Sequence, residues 1–475
     1  MPSELTIVNP PPFPRGEDAI MTPLRPPAHP VPEPYRIRSV ERIRLLPREQ
    51  RLRALADSGH NLFRLRARDV FIDLLTDSGT GSMSDRQWAA VMEADESYAG
   101  SESWFRFEAA VREVTGFPEV IPTHQGRAAE RLLFEALLRP GDVVLSNALF
   151  DTTRANVERL GARGIDLPEP AALDPLDESP LKGGIALDAL ERALAAEPVR
   201  AIVLTATANS LGGHPVPLGN ATAAARLAKT KGVPLFIDGA RFAENAGLLA
   251  RRDPSCEGMP AARIALSLFD LADGCLVSAK KNGLAHIGGF IGLRDAALAE
   301  RVRQGLVVTE GFETYGGLAG RDLDAIAVGL REALDEGFLS ARLDQVEAFH
   351  AALRAANVPV VCPAGGHAVY VDSGALLPHV PPSRFPGHSV ACALYAEGGV
   401  RSCEVGALMF PEAEKEPHRQ LTRLAIPWRT YTASHLDHVA RTLGQIAAQR
   451  ERLGGYTIVS APAALRHFRA VLAPA

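Results

Sequence analysis

The sequence predicts an α/β fold, with a mostly parallel sheet covered by helices on both faces and a smaller α+β domain after it. Three observations predict this. Short apolar runs, "VVLSN" (143–147), "AIVLTATAN" (201–209), "VPLFIDGAR" (233–241) and "GCLVSAK" (274–280), alternate with segments of helical spacing. The runs lack the apolar–polar alternation of a half-exposed strand, so both of their faces are expected to be buried, as in a parallel sheet. Polar residues gather where the runs stop, namely Asn209, Asp238, Arg241, Ser278 and Lys281, and open parallel sheets bind ligands at the carboxyl ends of their strands.

The elements follow in order. Residues 1–34 are dense in proline and poor in large apolar residues, which predicts an extended or disordered arm. From "PYRIRSVERIRLLPREQRLRALADSG" (34–59) a helical periodicity begins; residues 35–70 are assigned to the N-terminal part of the small domain and 71–340 to the large one. Within the latter, "AAERLLFEALL" (128–138) and "ATAAARLAKTKG" (221–232) have helix spacing, and the second stops at a glycine. After residue 340, "LDQVEAFHAALRAANVPVV", "HAVYVDSG" and "QLTRLAIPW" predict the smaller α+β domain (341–475), ending in a helix near "ASHLDHVARTLGQIAAQRERLGG".

A chain of 475 residues with 46% apolar content has the length for two domains and the apolar content for a large core. With 51 Lys+Arg against 56 Asp+Glu, its net charge is -5, which gives no electrostatic footprint for nucleic acid or an anionic membrane. Cys256, Cys275, Cys362, Cys392 and Cys403 are odd in number and never form a Cys-x-x-Cys pair, so neither a disulfide frame nor a zinc site is expected. The N-terminus has no basic start leading into an apolar core, so a secretory signal is not expected, and no run has the length of a membrane helix. A cytoplasmic protein is the expectation.

The chemistry centres on "VSAKKNGLAHIGGF" (277–290), where an apolar run ends in two lysines and a glycine-rich loop. Lysine pairs are ordinarily solvated, but these lie between apolar segments, and a desolvated lysine loses proton affinity and becomes a nucleophile or base. Asp238 ends another run; it fits a helix N-cap, and equally a carboxylate that keeps a pyridine nitrogen protonated. A lysine and such a carboxylate are the two groups that pyridoxal phosphate requires. "THQGRAAE" (123–130) opens a helix at Gln125, Gly126 and Arg127, where N–H groups and the dipole attract a phosphate, although Gly126 also fits an ordinary turn. Ser278 is a further phosphate candidate. "GTG" (79–81) lacks the third glycine of a dinucleotide fingerprint, and His435 and His438 lack a third ligand, which favours a solvated helix face.

Taken together, "DVFIDLLTDSGTGSMSDRQW", "ESYAGSES", "PTHQGRAAE", "IDGARFAENA", "SAKKNGLAHIGGF", "ETYGGLAGRD", "GGHAVYVDSG" and "RLAIP" resemble the β-eliminating lyases, whose branches are tryptophanase and tyrosine phenol-lyase. The similarity runs from about residue 34 to the C-terminus. It implies the type I (aspartate-aminotransferase-like) pyridoxal-phosphate fold, an amino-acid substrate, a homotetramer and activation by potassium. By resemblance, Lys281 carries the cofactor and Lys280 tunes it. Gln125, Gly126, Arg127 and Ser278 hold the phosphate, and Phe150 stacks on the ring. Asp238 meets the ring nitrogen; Arg241 and Asn209 address the ring oxygen. Arg423 grips the substrate carboxylate beside Thr80. Tyr98 is a general acid, Tyr315 reaches in from a neighbouring subunit, and Glu96 with the Gly79 carbonyl forms the cation site.

The leaving group depends on the pocket. Val405 stands where phenol-lyases use an arginine, Asp151 where they have threonine and His467 where they have phenylalanine. All three resemble tryptophanase, and an Asp–His pair can relay protons to an indole. The expected reaction is β-elimination of L-tryptophan, or a modified tryptophan, to indole, pyruvate and ammonia. A tyrosine phenol-lyase, a cysteine-conjugate lyase and a catalytically silent cofactor-binding homologue remain as alternatives. Asn282, His286, Trp428 and His214 depart from the resemblance, standing where aspartate, asparagine, arginine and glutamine are usual.

Overall fold

Strands that must be buried on both faces divide their side chains between two cores. In the computed structural model, which describes residues 32–416 and 419–475, Val144, Val203, Phe236 and Leu276 belong to one core and Val143, Ile202, Ile237 and Cys275 to another. Each fully buried Val, Leu, Ile or Phe contributes about 1.5–3 kcal/mol, and helices cover both faces. The sheet has seven strands in the spatial order Glu119–Thr123, Gly289–Leu293, Gly274–Val277, Leu235–Asp238, Val199–Thr205, Val143–Ser146, Arg163–Asp166. Gly289–Leu293 is antiparallel to both of its neighbours and the remaining pairings are parallel. The four apolar runs singled out in the sequence are four of the parallel strands.

The helix Gly126–Leu137 follows the edge strand Glu119–Thr123 directly and buries Leu132, Leu133 and Leu137. The helix Leu218–Lys231 stops at Gly232, whose φ of 64° closes the last turn in the left-handed region. Away from the seven-stranded sheet, a second core region covers one face of the three-stranded antiparallel sheet Cys403–Val405, Leu421–Ala425, Ala368–Asp372. The helices Glu336–Ala355, Pro386–Gly398 and Ala433–Ala448 supply Val346, Phe349, Val390, Leu394, Val439 and Leu443 to it. Ile72 and Leu74, expected in the large domain, pack into this second core, because Ile72–Asp73 pairs with Val400–Arg401. The expected division at residue 340 falls inside the helix Glu336–Ala355.

Local expectations are corrected at three places. The periodicity from residue 34 yields a helix only over Arg48–Asp57. Ile37 and Val40 upstream are exposed, so no buried face supports a helix there, and Pro47 disfavours helical backbone in the residue before it. The chain does not end in the helix Ala433–Ala448; Tyr456–Ser460 and Val471–Pro474 form a closing hairpin. His435 and His438 are not a free solvated face, for His435 bonds Thr432 at the helix start and His438 bonds the Gly398 carbonyl at 3.0 Å. Most of the proline-rich arm, 1–31, lies outside the described residues. Among the described residues, no helix is long and apolar enough to cross a membrane.

Candidate active site

The strand ends, read together, build one pocket of about 680 Å³ including its open mouth. Gln125, Gly126, Arg127, Phe150, Asn209, Asp238, Arg241, Ser278, Lys280 and Lys281, all singled out in the sequence, line it, and Glu130 joins them. Asp238 ends the strand Leu235–Asp238 and Lys281 follows the neighbouring strand Gly274–Val277 by one turn, in which the Lys281 N–H donates to the Ser278 carbonyl at 3.1 Å.

Gly126 and Gly289, one on each side of the lysine turn, have a steric cause. A Cβ on Gly289 would lie 2.7 Å from the backbone of Gln125 and Gly126, and one on Gly126 would lie 2.7 Å from the Ser278 Cβ. Only glycines let the strand Gly289–Leu293, the helix start and the lysine turn approach so closely. The result is a cradle in which the first turn of the helix Gly126–Leu137, Ser278 and two cations, Arg127 and Lys280, face one space. This is the chemistry of a phosphate site.

The charges are set by burial. Desolvation, and then the Arg241 cation, lower the Lys281 amine to about 8, against the pull of Asp77, Asp238 and Glu130. Burial, and then Arg127, lower Lys280. Burial raises the Asp238 carboxyl, with Lys281, the Ala240 N–H and Arg241 opposing, and burial followed by the Asp238 charge pushes Glu130 to about 7. A cation placed against Asp238 would restore its ionised form, which suits a protonated pyridine nitrogen.

Beside this wall, Arg241 is held by a bidentate pair with Asp77, with Nε to Oδ2 and Nη2 to Oδ1 both 2.7 Å. Asn209 is a junction: its Oδ1 lies 2.9 Å from His367 Nε2 and accepts from Tyr370 Oη and Arg423 Nη1 at 3.0 Å each. Arg423 donates its other terminal nitrogen to the Leu75 carbonyl at 3.1 Å, and its Nε has no partner. A buried guanidinium N–H without a partner is a donor suited to a carboxylate.

Asp151 and His467 meet at 3.0 Å, with side chains 4% and 2% exposed. Asp151 follows Phe150, which lines the pocket. Phe63 lies edge-on to His467 and Phe468, with ring centres 5.7 and 4.9 Å away, and packs against the cluster that contains Val405. Phe63 thus links His467 to the cluster of Val405, and Asp151 joins them through its contact with His467.

Other expected residues lie outside this wall. Tyr98 is 73% exposed, stacked on Phe312 and edge-on to Tyr315. Thr80 is exposed and bonds the Thr76 carbonyl. Glu96 accepts from the Gly320 N–H at 2.8 Å and pairs with Arg321, while the Gly79 N–H donates to the Lys280 carbonyl. Sequence reasoning missed Asp77, Glu130, Phe63 and Phe468. Asp77 and Glu130 stood inside quoted motifs, and a carboxylate among apolar or small residues was the available signal.

The model of the family described as "Beta-eliminating lyase" matches residues 73–442. A tryptophanase of Hyphomonas neptunium is 50% identical over 444 residues, covering 92% of this chain and 98% of that protein. A tyrosine phenol-lyase of Symbiobacterium thermophilum is 40% identical over 450 residues, covering 93% and 98%. Among solved structures, Bna3p, a putative kynurenine aminotransferase of Saccharomyces cerevisiae, superposes with a TM-score of 0.61 at 15% identity, covering 84% and 95%. That likeness shows the fold alone, the type I pyridoxal-phosphate fold. The family match and the identities over nearly the whole chain leave one conclusion, that the chain belongs to the β-eliminating lyases.

Proposed function

We propose that the chain catalyses β-elimination of L-tryptophan, or a ring-modified tryptophan, to indole, pyruvate and ammonia, with pyridoxal 5'-phosphate as cofactor. The observation that carries the choice of leaving group is the buried Asp151–His467 pair. A phenol needs a donor for its oxygen, and a site built for one rejects ligands lacking it; Val405 offers none, whereas an Asp–His pair offers an acceptor for an indole N–H.

When bound, pyridoxal phosphate supplies an electron sink conjugated to the substrate α-carbon. In this reading Gln125, Gly126, Arg127, Ser278 and Lys280 would hold its phosphate, Phe150 would pack on its ring, Asp238 would keep its nitrogen protonated, and Asn209 and Arg241 would serve its ring oxygen. Arg423 turns its open Nε to the substrate carboxylate, near Thr80. Lys281 Nζ takes the α-proton, a task suited to an amine lowered to about 8. A proton must reach indole C3 before the carbon–carbon bond breaks, and Tyr98, aided by Asp151 and His467, delivers it.

Tyr98 is exposed in the single chain, so the same proposal places it, with Tyr315, in the site of an assembled homotetramer, a dimer of dimers. Support comes from the aromatic cluster with Phe312 and from the exposed Trp88, Met92 and Val308, since large exposed apolar side chains mark contact surfaces. A potassium ion belongs to the proposal through the oxygen donors of Gly79 and Glu96. In one chain Glu96 is turned to Gly320 and Arg321, so a second copy would have to complete that site. Cytoplasmic residence suits five buried, unpaired cysteines.

A coupled pyruvate assay on tryptophan, tyrosine and S-alkylcysteine tests the reading. Fastest turnover of tryptophan is expected. Preference for tyrosine or S-alkylcysteine would replace it by a phenol-lyase or cysteine-conjugate lyase, and cofactor binding without pyruvate from any amino acid by a silent homologue.

A further inference from the structure

We infer that Glu244 is a positioning residue for Lys281, its buried carboxylate tying the turn that carries the lysine to the segment that follows Arg423. The inference rests on Lys281 as the cofactor-bearing residue. Glu244 sits in the first turn of the helix Phe242–Arg252, directly after Arg241. Its Oε2 accepts from Asn282 Nδ2 at 2.6 Å and its Oε1 from Trp428 Nε1 at 2.9 Å. Arg342 Nε lies 3.6 Å away, and the Arg342 guanidinium lies over the Trp428 ring at 5.4 Å. Glu244, Asn282, Arg342 and Trp428 are all buried.

Three separate segments therefore end on one carboxylate. Asn282 is the residue after Lys281, Trp428 follows the strand Leu421–Ala425 that carries Arg423, and Arg342 belongs to the helix Glu336–Ala355. Arg342 also donates to the His367 carbonyl at 3.1 Å, and His367 Nε2 reaches Asn209. Arg342 Nε and Nη1 have no hydrogen-bond partner, so this buried cation is compensated by nearby charge, Glu244 first and then Asp77.

Residue types are dictated at each corner. Asn282 Oδ1 accepts the Ala243 N–H at 2.8 Å, an unpaired donor of the first helical turn, which leaves its Nδ2 to face Glu244. An aspartate at 282 would satisfy Ala243 and yet set a second carboxylate at hydrogen-bond distance from the first. Two departures from the family resemblance, Asn282 and Trp428, thus answer to the same anion, as two neutral donors on one carboxylate.

The test exchanges the two roles. Glu244→Gln alone places an amide N–H against the Asn282 amide, and Asn282→Asp alone opposes two carboxylates. Together they restore every hydrogen bond, with the introduced glutamine accepting from Trp428 through its Oε1 and donating to the introduced aspartate through its Nε2, and they keep the net charge. Wild type, both single variants and the double variant are compared by kcat and KM with tryptophan. The visible absorbance of bound pyridoxal phosphate is followed against pH, and Lys281 acetylation against pH is followed by mass spectrometry in the cofactor-free proteins. Each single variant is expected to lose roughly 100-fold in kcat, the scale of a 1 Å misplacement, and to shift the acetylation midpoint. Because Arg342 then faces an amide at 244 and the carboxylate sits at 282, the double variant is expected to recover both in part, exceeding either single variant. Single variants that match wild type, or a folded double variant no better than the worse single one, overturn the role of Glu244. Wild type that binds no cofactor at Lys281 overturns the reading of the lysine itself. Single variants that unfold while the double variant folds and turns over support the inference.

Discussion

The Asp151 carboxylate lies 3.0 Å from the His467 imidazole, a contact that joins the first turn of the helix Asp151–Arg159 to the C-terminal segment. Buried acid–imidazole pairs position protons, and this one stands among Phe63, Phe468 and the Val405 cluster.

Asp151→Ala and His467→Phe are expected to lower kcat/KM for tryptophan by roughly 100-fold or more, in the range of lost acid–base assistance. S-Methylcysteine, whose thiolate leaves without carbon protonation, is expected to be affected by less than about 10-fold. Equal losses on both substrates in the pyruvate assay would contradict a role at the leaving group.

Val405→Arg is expected to raise the tyrosine-to-tryptophan ratio of kcat/KM by supplying a donor to a phenolic oxygen. The side chain is buried on the strand Cys403–Val405, so the gain is read as a ratio within one variant. An unchanged ratio removes Val405 from the specificity argument.

Lys281→Met is expected to stabilise the cofactor-free protein at neutral pH. Folding lowers the Lys281 pKa to about 8 from 10.5, so between those values the unfolded chain binds the extra proton. The cost of folding the charged lysine is full below about pH 8 and vanishes as pH rises through the unfolded value. Thermal midpoints of the two proteins should therefore differ at pH 7 and converge toward pH 10.5. A gap independent of pH would contradict the assignment.

Asp77→Asn removes the partner of a buried arginine. Against the opposing effect of burial on each, the Asp77 charge raises the proton affinity of Arg241, and Arg241 holds the Asp77 carboxyl far below the usual range. Breaking one side of a buried pair costs about 3–5 kcal/mol, measurable by urea denaturation of the cofactor-free protein. Because the folded pKa of Asp77 is depressed, this stability is present above the unfolded carboxylate pKa and is lost only as pH falls well below it. A loss under about 1 kcal/mol would show that water or another acid compensates Arg241.

The sequence by itself determined the parallel sheet, the strands Val143–Ser146, Val199–Thr205, Leu235–Asp238 and Gly274–Val277, and the placement of Asp238 and Lys281 at strand ends, since burial on both faces and strand termination are written in local runs of side chains. The resemblance then named the cofactor wall, and ten of its residues line one pocket. Tertiary structure alone decided that Ile72 and Leu74 join the second core, that Asp77 holds Arg241, that Glu244 collects Asn282 and Trp428, and that Tyr98 faces outward from the single chain. Those outcomes depend on which distant segments pack together, and a buried charge takes as its partner whatever the packing brings within reach, a choice that no local periodicity encodes.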